Sequence, residues 1–248
     1  MPASQSRALL SQKPISPRER LIVALDMASA DEARRFVETL GDAVRFYKIG
    51  LELFMAGGYF ELLEWLRGKG KQVFVDLKFF DVPQTVGSAV RQLAKHGAAF
   101  ATVHGNDAIL EAAVREKGAT KILAVTVLTS LDEGDLKDLG FAVDPSALVL
   151  SRAKRALAIG CDGVISSGLE AAALREGLGE KLLIVCPGIR PIANREERKD
   201  DQKRTVDVEE AFLNGADHVV IGRPIRQAPD PKAAAEDVQR RIEALFRA

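Results

Sequence analysis

Cysteine, histidine and any surplus of charge are scarce in this sequence. Its two cysteines, Cys161 and Cys186, lie inside apolar runs. They are too few and too deep for a disulfide framework, which fits a reducing cytoplasm. The three histidines, His96, His104 and His218, are scattered without metal-ligand spacing. Nothing resembles a pyridoxal, thiamine or flavin site, so neither a cofactor nor a metal is expected. Lys plus Arg and Asp plus Glu each number 35, a formal net charge of zero. That balance gives no reason to expect nucleic acid or an anionic membrane as partner. No apolar run reaches the ~18 residues of a membrane-spanning helix. Residues 1–17 hold only the short apolar patch Ala8–Leu10, too short for a signal-peptide core, and read as a flexible or loosely docked extension.

What is present is 248 residues, 47% of them hydrophobic, enough for a substantial core. Short apolar runs recur, each followed by a helical pattern. The runs are Arg20–Asp26, Val44–Gly50, the stretch from Val73, Ala99–His104, Lys121–Thr126, Cys161–Ser166, Lys181–Cys186 and Asp217–Ile221. The intervening sequence predicts helices, one of them broken at Gly57–Gly58 and the last over about Pro231–Phe246. Eight βα units in about 250 residues is the arithmetic of a single-domain α/β (β/α)8 TIM barrel, here over residues 18–248. An open doubly wound sheet is disfavoured, because ALDMAS rather than a glycine-rich dinucleotide fingerprint follows the first run.

The chain is organised around Val73–Thr85, VFVDLKFFDVPQT. Asp76 and Lys78, two apart, face one way if the strand continues through them, whereas Asp81 falls past its end. Carboxylate, ammonium and carboxylate at the mouth of a sheet bias one another's charge state. An alternative use of the same residues is structural: Asp81 as a helix N-cap with Gln84 as capping-box partner, and Asp76 with Lys78 as a strand-end ion pair. Position weighs towards chemistry. Asp26, Lys48, Asp76, Lys78, His104, Thr126 and Arg223 all fall at or just beyond strand C-termini, the face that carries the active site in such barrels.

Gly222–Arg223 after the eighth strand is the usual place for a phosphate in this architecture, with backbone N–H groups, a guanidinium and a helix start. A tight turn with a solvated arginine is the bland equivalent. The long charged stretch 190–204, RPIANREERKDDQKR, has the character of a lid, with Arg190 and Gln202 near its ends able to reach an anion on closure.

With these residues assembled, the sequence from about Arg20 to the C-terminus resembles the orotidine 5'-phosphate decarboxylase family. DLKFFDVPQT resembles that family's D-x-K-x-x-D signature, and ALD, YKIGLELF, AVTVLTS, PGIR and VVIGRPI occur in the family's order. The resemblance implies cofactor-free decarboxylation of orotidine 5'-monophosphate to UMP. It makes Lys78 the proton donor to C6, Asp76 the neighbour of the departing carboxylate, and Lys48 and Asp81 the completion of a Lys–Asp–Lys–Asp network. It further implies a homodimer in which Asp81 and Thr85 reach the partner's active site. Asp26, helped by Lys48, would bind ribose hydroxyls, Thr129 the pyrimidine, Pro187 would lie by the ring, and Arg190, Gln202, Gly222 and Arg223 would hold the phosphate. One departure is VHGND at the fourth strand's end, where many bacterial members have a His-Ala-x-Gly-Gly turn.

Two rivals remain at this level. One is a Mg-dependent sugar-phosphate decarboxylase or aldolase of the same superfamily, against which Lys48, PGIR and Gln202 argue. The other is a non-catalytic phosphate-binding barrel, which has no use for four clustered charges.

Overall fold

A computed structural model describes residues 7–190 and 205–247. Eight parallel strands close into a barrel in chain order, β1 pairing with both β2 and β8. They are β1 (Leu21–Ala24), β2 (Phe46–Gly50), β3 (Gln72–Phe79), β4 (Phe100–Val103), β5 (Lys121–Val125), β6 (Gly163–Ile165), β7 (Leu183–Cys186) and β8 (His218–Ile221). The helices are α1 (Ala30–Leu40), α2 (Leu51–Ala56), α3 (Tyr59–Gly68), α4 (Pro83–Lys95), α5 (Asp107–Glu116), α6 (Glu133–Asp138), α7 (Pro145–Ile159), α8 (Ala171–Leu178), α9 (Val208–Leu213), α10 (Arg223–Arg226) and α11 (Pro231–Phe246). The predicted (β/α)8 architecture is the observed one, and α2 and α3 part at Gly57–Gly58 as the sequence suggests.

Local chemistry explains the helix starts. Ser29 caps α1 by accepting from the Glu32 N–H, and Asp144-Pro145 and Asp230-Pro231 each pair a capping carboxylate with a proline at the first helical position. Helix α1 then buries Ala33, Val37 and Leu40, one stripe of the 3.6-residue repeat, against the barrel wall.

Alternate strand residues point inward and fill the lower barrel. Ile22, Phe46, Phe74, Phe100, Leu123, Leu183 and Val220 form this plug, with Phe46 and Phe100 ring centroids 4.9 Å apart. His218 joins it edge-on to both rings and its Nδ1 pairs with the Glu19 carbonyl; burial lowers its pKa to about 4, so the imidazole is neutral. At Gly163 a Cβ would meet Leu183 atoms at 2.7 Å, so only glycine lets β6 lie this close to β7. Two residues further along the inward rows of β2 and β3, Lys48 and Asp76 replace the apolar side chains.

The N-terminal extension, read as flexible or loosely docked, makes polar contacts with the barrel from Ser11 onward. The Ser11 hydroxyl donates to Asp217, and Lys13 Nζ lies 3.1 Å from the same carboxylate and 2.8 Å from Glu180. Arg175 completes the cluster 2.9 Å from Asp217, whose side chain is fully buried. Among the described residues no helix is long and apolar enough to cross a membrane.

Candidate active site

The charged layer sits at the C-terminal mouth of the barrel, where each strand delivers the next inward residue above the plug. β1 ends two residues before Asp26, β2 carries Lys48 and β3 carries Asp76. Lys48 Nζ lies 3.0 Å from Asp26 Oδ1 and 3.4 Å from Asp76 Oδ2, and Lys78 Nζ lies 2.9 Å from Asp76 Oδ1. The result is an unbroken alternation, Asp26–Lys48–Asp76–Lys78. Gly50 leaves room for it, since a Cβ there would stand 3.3 Å from the Lys48 ammonium.

Burial alone would strip Lys48 of its charge, but the Asp76 and Asp26 carboxylates outweigh it and raise the ammonium's pKa. Burial likewise favours the neutral form of Asp76, yet Lys48 and Lys78, with hydrogen bonds from Lys78 and Thr102, hold its pKa below the ordinary carboxylate range. Lys48 and Asp76 therefore both keep their charges at neutral pH.

Asp76 and Lys78 do share a direction, but not through a regular strand. The β3–β4 register runs evenly to Val75 opposite Ala101, then resumes only at Phe79 opposite Val103. Four steps on β3 thus face two on β4, a bulge that contains both catalytic candidates. Lys78 alone among described non-glycine residues has a positive φ, 48°.

A cavity of about 490 Å³ opens above this layer. Ala24, Phe74, Val125, Ile165 and Val220 give it an apolar lining, and Thr129, Pro187, Arg190, Gly222 and Arg223 border it as well. Nine of the residues expected from sequence, Asp26, Lys48, Asp76, Lys78, Thr129, Pro187, Arg190, Gly222 and Arg223, border this one space. Arg190 is fixed at the rim by its N–H bond to the Val206 carbonyl at 2.9 Å, which ties together the two ends of the segment 191–204. Gln202 lies outside the described residues.

Asp81 and Thr85 do not border the cavity of their own chain and are exposed. The capping-box alternative for Asp81 is corrected: Val82 is the N-cap of α4 without a side-chain bond, and Asp81 accepts only from the adjacent Val82 N–H. Pro83 fixes the helix start, and the residue before it is held extended. Two rim residues also turn away. The Thr126 hydroxyl is spent on the Ile165 carbonyl, and His104 faces a neighbouring depression with Arg152 rather than the charged layer. Burial, then Arg152 and Lys78, lower the His104 pKa.

Three contributors were missed in the sequence. Arg226, one turn beyond Arg223 on α10, adds a third guanidinium to the cavity wall, a spacing of three that was there to be read. Ser130 borders the cavity beside Thr129. Thr102, buried on β4, bonds Asp76, and no local pattern distinguishes it from an ordinary strand threonine.

A closed (β/α)8 barrel bearing an alternating acid–base chain at its C-terminal mouth, with arginines across the cavity, has the layout of a barrel enzyme acting by charge stabilisation and proton transfer. Comparison with known proteins gives the particular kind. Residues 19–238 match the model of the "Orotidine 5'-phosphate decarboxylase / HUMPS family", and the chain belongs to that family. It is 62% identical over 239 residues to a protein of Methylococcus capsulatus named orotidine 5'-phosphate decarboxylase, covering 96% of this chain and 98% of that one. A protein of the same name from Xanthomonas euvesicatoria is 50% identical, with 94% and 96% coverage. The crystal structure of orotidine 5'-phosphate decarboxylase from Lactobacillus acidophilus superposes with a TM-score of 0.79 at 36% identity, covering 93% of this chain and all of the other.

Proposed function

We infer that the protein decarboxylates orotidine 5'-monophosphate to UMP. The observation that carries this reading is the Asp26–Lys48–Asp76–Lys78 chain on the floor of a cavity that Arg190, Gly222 and Arg223 border. The substrate must lose a carboxylate from an sp² ring carbon with no adjacent carbonyl to delocalise the electrons. The electron pair left by the broken C6–carboxylate bond stays in the ring plane at C6, and a fixed positive charge is the most direct stabiliser. In this reading Lys78 supplies that charge and transfers a proton from Nζ to C6 as carbon dioxide departs. Asp76 keeps Lys78 charged and oriented, and Lys48 fixes Asp76 from the other side.

Asp26, with Lys48, is assigned to the ribose hydroxyls, Thr129 to the pyrimidine edge and Pro187 to the ring face. Arg190, Gln202, Gly222 and Arg223 are assigned to the phosphate, with Arg226 as an added cation. Binding energy from the phosphate, remote from C6, is available for orienting the reacting carbon. The metal-dependent alternative is disfavoured by geometry: the Lys48 ammonium occupies the space between Asp26 and Asp76, where a dication would need both carboxylates.

A homodimer belongs to the same proposal. What supports it is the exposure of Asp81 and Thr85 away from their own cavity, beside Phe80 and Val82, which are 69% and 62% exposed. Asp81 would then complete the charge network of the partner.

The test is the ultraviolet absorbance of orotidine 5'-monophosphate mixed with purified protein, with and without EDTA. Loss of the orotate band at equal rates in both is the expected result. No loss, or loss only with added Mg²⁺, overturns the assignment.

A further inference from the structure

The bulge in β3 creates a problem that one side chain on β4 resolves. The extra residues between Val75 and Phe79 take the Lys78 N–H out of the regular ladder register. It donates instead to Thr102 Oγ1, at 2.9 Å. The same oxygen lies 2.9 Å from Asp76 Oδ1, and Thr102 is completely buried.

The direction of each bond is forced. A backbone N–H can only donate, so the hydroxyl accepts from Lys78; an ionised carboxylate can only accept, so the hydroxyl's one proton goes to Asp76. Lys78 Nζ also bonds Asp76 Oδ1. Both ends of Lys78, amide and ammonium, are thus tied into one ring of three residues that closes through a single carboxylate oxygen. The ring holds a residue whose left-handed backbone, φ 48°, is disfavoured for any side chain with a Cβ.

We propose that Thr102 is a positioning residue for the proton-transfer step: its hydroxyl locks the left-handed turn that aims Lys78 into the cavity and fixes Asp76 beside it. The proposal rests on the decarboxylase reading for its kinetic consequence, but not for its structural one. Removing the hydroxyl frees the Lys78 backbone to relax towards ordinary φ values, which swings the ammonium away from the reacting carbon. Substrate recognition, made by other residues around the cavity, is untouched.

The experiment compares Thr102→Val, which keeps the shape, with Thr102→Ser, which keeps the hydroxyl, in the full-length protein. In T102V, kcat for orotidine 5'-monophosphate falls about 10- to 100-fold, the worth of one hydrogen bond to a charged group. KM moves less than about threefold, and T102S stays within about threefold of wild type in both constants. The acid limb of the kcat–pH profile moves upward in T102V, because Asp76 has lost a donor. Hydrogen exchange at the ¹⁵N-labelled Lys78 amide accelerates in T102V and not in T102S. Thr102→Ala, which also lacks the hydroxyl, stands in if the valine form does not fold.

A kcat within twofold of wild type in the folded hydroxyl-free variant refutes the proposal. So does an equal loss in T102S, which would assign the effect to packing. If wild-type protein leaves the orotate band unchanged, the decarboxylase reading fails, and the Lys78 exchange rates still decide whether Thr102 holds the turn.

Discussion

Replacing Asp76 by asparagine keeps the volume of the side chain and removes the one negative charge that two ammoniums share. Lys48 Nζ at 3.4 Å keeps Asp26, but Lys78 Nζ at 2.9 Å has no other carboxylate partner among the described residues. Opposite unit charges about 3 Å apart attract by about 5 kcal/mol at an effective dielectric near 20, and desolvation of both ions cancels much of that. Removing one member of a buried pair costs about 3–5 kcal/mol. Asp76 and Lys48 are nearly buried but Lys78 is 36% exposed, which places the expected loss near the lower bound, about 3 kcal/mol.

Urea unfolding at fixed protein concentration measures it, as a lower midpoint at unchanged slope. The pH dependence provides an independent check. The native Asp76 pKa is lowered, so its stabilisation is fully present above the unfolded value of about 3.9 and is lost as pH falls through the native one. Lys48 is raised, so its contribution is present below about 10.4 and is lost as pH rises through the native value. The gap between wild type and Asp76→Asn should therefore be flat around neutrality and close as the medium is acidified below about pH 4. A gap under about 1 kcal/mol at pH 7, or one indifferent to acid, would refute the account of Asp76 as the ionised hub.

Loss of Arg223 removes a guanidinium remote from the reacting carbon, so Arg223→Ala should lower kcat/KM by about 10³-fold or more with an intact fold; a normal kcat/KM removes the phosphate role. Lys78→Ala should be inactive yet folded, and if Asp81 serves the partner's site, mixing it with inactive Asp81→Ala should restore activity through hybrid dimers. Failure of the mixture to regain any turnover contradicts the shared site. Far from the cavity, Asp217→Ala takes the fully buried carboxylate from Arg175 and leaves it only the more exposed Glu180, and calorimetry should show a loss of about 3 kcal/mol with kcat unchanged.

The barrel was readable because each strand carries a short apolar run and most helices begin at a side-chain cap or a proline, all local signals. Strand-end position alone gathered most of the charged residues around the cavity. What escaped was set by distant partners. Ser11 and Lys13 look like a polar tail until Asp217 is beside them, and Thr102 is a plain strand threonine until the bulge brings it against Asp76 and Lys78. Asp81 looked like a cap because its spacing to Gln84 is right, yet the proline at 83 moved the helix start past it. Arg226 was available to a reading that counted one turn on from Arg223.

The docking of Ser11 and Lys13 onto Asp217 has a bearing on how the protein is made. The hydrogen bond from Ser11 spans 206 positions, and β1 needs β8 as well as β2 for its edges. On the ribosome the segment with Ser11 emerges 206 positions before its partner, so β1 waits with one edge unpaired until β8 is out. Closure of the barrel is then a late, non-local event, and the segment around Ser11–Lys13 acts as the clasp that fastens the first strand to the last.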